Sequence, residues 1–143
     1  MKGIKQSNCK FYVNEEERVV VCVIPHTSDM LYHFIREHFD WSDMSIYLGM
    51  CHRLEDLVQM PNSFMGKAVC AEEDEWDEEL GKTIAFSRAK DKCYQSFFRR
   101  ANALVQRIDA RLGDMITQFN DFGTKLGNKK EIMDAKIEEM ING

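Results

Sequence analysis

From Phe97 to Phe122 an apolar residue recurs every third or fourth position: Phe97, Ala101, Leu104, Ile108, Leu112, Met115, Phe119, Phe122. Steps of three and four keep side chains on one face of an α-helix, so the spacing predicts an amphipathic helix of about seven turns, on the order of 40 Å. That is longer than a 143-residue domain needs to cover its own core. The far end of such a stripe calls for a partner, and the simplest partner is a second copy of the chain. Gly113 falls inside the pattern, where glycine costs about 1 kcal/mol relative to alanine and marks a bend or a close approach. The run Gly123-Thr124-Lys125-Leu126-Gly127-Asn128 is expected to end this helix, with KKEIMDAKIEEMI forming a final amphipathic one.

The first half has a different grammar. KFYVNEEERVVVCVIP, Lys10 to Pro25, holds two β-rich runs separated by Asn14-Glu15-Glu16-Glu17, which is a hairpin pattern without glycine in its turn. Thr27-Ser28-Asp29 supplies helix-capping chemistry before MLYHFIREHF, where Leu31, Phe34, Ile35 and His38 share a face and a short helix extends to about Asp40. Ser45 to Leu48 is expected to form a short strand, Leu54 to Met60 is ambiguous, and Gly66 to Cys70 is expected to be the last strand. The fold class that follows is α+β: an N-terminal antiparallel sheet with a short inserted helix, packed on long C-terminal helices that mediate oligomerisation. One domain is expected over residues 1–143, β-rich over 9–70 and helical over 77–141.

Charge and cysteine usage exclude several functions. A net charge of −5 argues against a generic nucleic-acid coat. No apolar run is long enough to span a bilayer, and MKGIKQSNCK lacks the apolar centre of a signal peptide, so the expectation is a cytoplasmic protein without a membrane partner. Five cysteines without a C-x-x-C pair point to reduced, mostly buried thiols rather than a disulfide or zinc framework. His33 and His38 are five apart and do not share a helix face as a zinc-protease pair does. No phosphate-binding glycine loop or nucleophile elbow is present, so neither catalytic residues nor a metal or cofactor are expected. The acid cluster EEDEWDEE, Glu72 to Glu79, has the composition of a magnesium site, but acids at the start of a helix favour its positive dipole end without any metal.

The basic stretch behind that cluster is more telling. Lys82 to Arg111 carries eight cationic residues and two acids, a local net of +6 in a chain of −5. Arg107 and Arg111 are one turn apart, and their guanidinium forks can converge on one phosphate. Trp76 and Phe86 are placed to stack on a base, although aromatics at helical spacing more often belong to a core.

The hairpin NEEERVVVCVIP, the strand GKAVC leading into EDEWDEELGKTIAFSRAK, and the long arginine-bearing helix together resemble the phage-encoded Thoeris anti-defence sponges. These are small proteins that capture a cyclic signalling nucleotide without degrading it. The likeness spans most of residues 9–125 and is most specific from Gly66 to Lys90. It implies ligand pockets at subunit interfaces of a homo-oligomer, a ligand of the glycocyclic ADP-ribose type with further sites for cyclic di- or trinucleotides, and the infected host cell as the setting. It also implies that Trp76, Phe86, Arg88, Arg107 and Arg111 line the pocket. The helix 29–40, the four histidines and the tail 128–143 exceed that pattern. The alternative is an acidic interaction protein, whose carboxylates mimic nucleic-acid phosphates and bind a basic defence protein. A third reading, an enzyme cleaving a cyclic nucleotide, would need His26, His33, His38 or His52 beside the arginines.

Overall fold

The computed structural model describes residues 3–38 and 58–143. The chain divides into two compact units, Met1–Val105 and Gln106–Gly143. The first opens with a 3-10 turn (Gln6–Asn8) and continues with β1 (Lys10–Asn14), β2 (Val19–Pro25), α1 (Met30–His38) and β3 (Ser63–Val69). Helix α2 (Glu78–Asn142) follows, its residues through Val105 belonging to the first unit. The class is α+β, as the sequence pattern implies.

The three strands form an antiparallel sheet in the order β1-β2-β3. The β1–β2 turn lacks glycine, and Arg18 takes the left-handed conformation instead, at φ 57. Two local bonds hold it there. The Asn14 side-chain oxygen accepts from the Glu17 amide at 3.1 Å, and the Glu15 carbonyl accepts from the Arg18 amide at 3.1 Å. An asparagine that closes its own turn offsets part of the strain that a non-glycine residue meets there.

Alternation along β2 puts Val20, Cys22 and Ile24 in the core, and register sets them opposite Ala68, Gly66 and Phe64 of β3. Against this face lie Ala85, Ala89, Cys93 and Phe97 of α2, four apart and all buried. The helix comes so near the sheet that a Cβ on Gly66 would sit 2.1 Å from the Ala85 carbonyl oxygen. Small residues on both elements permit that approach. Leu31 and Ile35 of α1 complete the core, the Phe34 and Phe97 rings meet edge to face at 5.5 Å, and the Cys93 thiol reaches the Met30 sulfur at 3.5 Å. Thr27 ties the entry of α1 to the entry of β3. Its amide donates to the Asn62 carbonyl and its hydroxyl to the Pro61 carbonyl at 2.5 Å, so the buried residue is a clamp rather than a helix cap.

Helix α2 begins where the acids predict. The Asp77 carboxylate accepts from the Leu80 amide at 3.0 Å, an N-cap, and Glu78 and Glu79 occupy the first turn. The expected break at Gly123 to Asn128 does not occur, and the expected separate terminal helix is the continuation of α2. Two glycines cost about 2 kcal/mol in a helix interior, but without a proline nothing forbids the conformation. The expected strand 45–48 and all of the ambiguous stretch before Val58 lie outside the described residues. Val58 and Met60 are buried.

In the second unit, Gln106–Asn142 is helical, and Leu112, Ile116, Phe119, Phe122 and Leu126 are all exposed. Among the described residues no helix is long and apolar enough to cross a membrane.

Candidate functional site

The acidic segment between β3 and α2 is held from beneath by one cation. The Arg18 guanidinium donates to the Ala71 carbonyl at 2.9 Å, to the Asp74 carbonyl and to the Cys70 sulfur at 3.1 Å, while the Arg18 carbonyl accepts from the Cys70 amide. The loop is thereby folded around the hairpin turn with its carboxylates outward. Glu72, Glu73, Asp74, Glu75, Asp77, Glu78 and Glu79 are all exposed. Sequence reasoning missed Arg18, whose only signal was its place at the end of the NEEER turn.

Trp76 is half-buried and lines a cavity of about 190 Å³ together with Val20, Ala68, Leu80, Gly81 and Ile84. Cys70, Asp74, Glu75 and Asp77 supply its remaining polar lining. An apolar floor with acidic walls suits a neutral or cationic group and repels phosphate. Phe86, also half-buried, has the Lys90 ammonium over its ring at 5.2 Å.

Arg88 lies against the sheet edge. Its Nη1 donates to the Lys67 carbonyl at 2.7 Å, and one turn later the Lys92 ammonium donates to the Met65 carbonyl at 3.0 Å. Residues two apart on a strand and four apart on a helix advance by similar distances, roughly 6 to 7 Å. The two cations therefore occupy successive carbonyls on the outer edge of β3. Phe86 and Arg88 are two positions apart, roughly 200° around the helix, so they do not share a face with each other.

Arg107 and Arg111 belong to the second unit, one turn apart on its helix. Arg107 is exposed; Arg111 is half-exposed and already engaged by a neighbour. The spacing that allows two guanidinium groups to address one phosphate is present. The structure thus keeps Trp76, Phe86 and Arg88 in one unit without convergence, and the arginine pair in the other.

Three of the described thiols, Cys9, Cys22 and Cys93, are shifted toward the protonated form. Burial pushes Cys22 up to about 12, reinforced by the neighbouring Cys9 thiol, and pushes Cys93 up to about 11. Cys9 is raised by burial as well, against the lowering effect of its hydrogen bond with Cys22. Cys9, Cys22, Cys70 and Cys93 are free thiols; Cys51 lies outside the described residues, as does His52. Among the described residues no three His, Cys, Asp or Glu side chains are grouped to hold a metal ion. Comparison of the chain with protein-family models, with curated proteins and with solved structures gives no match.

Proposed function

We propose that the chain is a non-catalytic sponge that captures a cyclic signalling nucleotide, of the glycocyclic ADP-ribose type or a cyclic di- or trinucleotide, and so withholds it from host anti-phage immunity. The observation that carries this reading is the arginine pair Arg107 and Arg111 on a helix whose large apolar residues stay exposed. Two guanidinium forks one turn apart suit a ligand with two phosphates. The apolar residues beside them supply the reason for a second copy to close the site. Ten such side chains from two copies, each about half covered on association, are worth on the order of 10 kcal/mol, comparable with the ~4 to 15 kcal/mol that association costs. In the first unit Trp76 lies beside its own acid-lined cavity and Arg88 donates to β3, so the reading rests on the arginine pair and not on these two residues.

The test is capture followed by release. Wild-type protein incubated with a panel of cyclic nucleotides retains at least one on a size filter and returns it intact after heat denaturation. Arg107→Ala and Arg111→Ala each weaken retention by about 1.5 to 3 kcal/mol, the range for a hydrogen bond to a charged group, with assembly unchanged. Full retention by both variants would remove the arginine pair from the site, and an altered product would indicate an enzyme. Failure to retain any nucleotide would favour the acidic interaction reading, which rests on the seven exposed carboxylates around Trp76.

A further inference from the structure

A second, larger cavity of about 600 Å³ lies wholly within the first unit and shares no residue with the Trp76 cavity or the arginine pair. Three short pieces build it: the segment around the 3-10 turn, the last residues of β2, and one stripe of α1. Met30, His33, Phe34 and Glu37 recur at helical spacing and form that stripe, beside the one that sends Leu31 and Ile35 into the core. Ile4, Ile24, Pro25, Met30 and Phe34 make the floor apolar. The volume falls in the range of small-molecule sites.

The polar groups around this floor are unevenly spent. Both polar atoms of Thr27 that donate are committed, to Asn62 and Pro61. The Cys9 thiol and the Asn8 amide both donate to the Lys5 carbonyl. Glu37 is engaged by a neighbour. Lys5 has no ion-pair partner among the described residues. The imidazoles of His26 and His33 line the same space, and His26 is held in the left-handed region at φ 57, a conformation that few non-glycine residues adopt outside functional sites and tight turns. What remains for a ligand is an apolar floor rimmed by exposed polar side chains: the unpaired Lys5, the Asn8 carboxamide and the two histidines, with Glu37 occupied.

We propose that this cavity binds a small organic anion with a flat apolar body, an aromatic carboxylate being the simplest case. The ring lies on the Ile24, Met30 and Phe34 floor, and the carboxylate meets Lys5 with the imidazoles beside it. A neutral molecule of the same shape gains the floor alone. A cation gains the floor and meets the unpaired Lys5.

Fluorine NMR titration of the full chain with para-trifluoromethylbenzoate and with para-trifluoromethylbenzyl alcohol separates these cases. The acid is expected to bind tighter than the alcohol by about tenfold or more, the equivalent of one hydrogen bond to a charged group. Lys5→Gln brings the two probes to equal affinity. Met30→Trp fills the floor and abolishes binding of both; Ile4→Trp repeats that test at the other wall should Met30→Trp lower the melting temperature. Equal binding of acid and alcohol by the wild type would overturn the proposal. So would unchanged preference in Lys5→Gln, unchanged binding in both tryptophan variants, or no binding of the acid at millimolar concentration.

Discussion

Gly66 and Gly113 carry the same side chain and opposite consequences. A Cβ at Gly66 would lie 2.1 Å from the Ala85 carbonyl oxygen and 2.4 Å from the Ala89 amide nitrogen, both backbone atoms that cannot rotate away. At Gly113 a Cβ meets nothing within 4 Å. Gly66→Ala is therefore expected to destabilise the first unit by about 2 kcal/mol or more, since it forces helix and sheet apart. Gly113→Ala should stabilise its helix by about 0.5 to 1 kcal/mol. Thermal melts of the two variants check both signs. The buried thiols give a second expectation. Cys22 and Cys93 keep their protons in the folded state above their ordinary value of 9.0, while the unfolded chain releases them there. The unfolded state then binds fewer protons, so stability is level below about pH 9 and falls as pH rises through the range toward 11 and 12. Urea midpoints on both sides of that range, compared with Cys22→Ala, should show the variant losing part of the slope.

At the scale of elements, the β3 edge of the sheet is covered by cations of α2. β3 presents outward carbonyls at Met65 and Lys67, and Lys92 and Arg88 of α2 occupy them. An unpaired strand edge is a template for further pairing, and charged side chains laid along it are a common defence. The double variant Arg88→Ala, Lys92→Ala should keep its fold, because both bonds are exposed to solvent and each contributes about 0.5 to 1.5 kcal/mol. Its time-dependent light scattering is nevertheless expected to rise above that of the wild type, and unchanged scattering would mean that the edge is protected otherwise. The same pair of bonds also fixes the position of α2 along β3, since each cation reaches one carbonyl.

On the scale of the whole molecule, the question is what the apolar residues beyond Val105 are for. Phe97 and Leu104 are buried within the first unit, so only the later part of the stripe bears on assembly. Phe119 is 70% exposed and Leu112 40%, on a helix that no other described element of its unit covers. Leu112→Asp together with Phe119→Asp should convert an assembled protein to monomer in sedimentation velocity. The melting of the first unit should stay in place, because neither residue belongs to it. A monomeric wild type would sink the interface reading, and with it the closure of the arginine site by a second copy.

The hairpin, the acidic start of α2 and the buried character of Cys22 were legible in the sequence, because each follows from local chemistry: strand alternation, acids at a helix start, a thiol inside an apolar run. The continuity of α2 through Gly123 and Gly127 was not, since glycine opposes a helix by only about 1 kcal/mol and a local penalty of that size does not decide an element's end. Nor were the tasks of Arg18 and Arg88 visible. Periodicity assigns a side chain to a face, but which carbonyl it reaches depends on how closely two distant segments approach. Gly66 sets that approach, by letting the backbone of α2 come against β3. The sequence determined which faces are apolar and where the strands and the long helix begin; the tertiary structure alone decided which cations fasten the fold, because that depends on how closely distant segments approach.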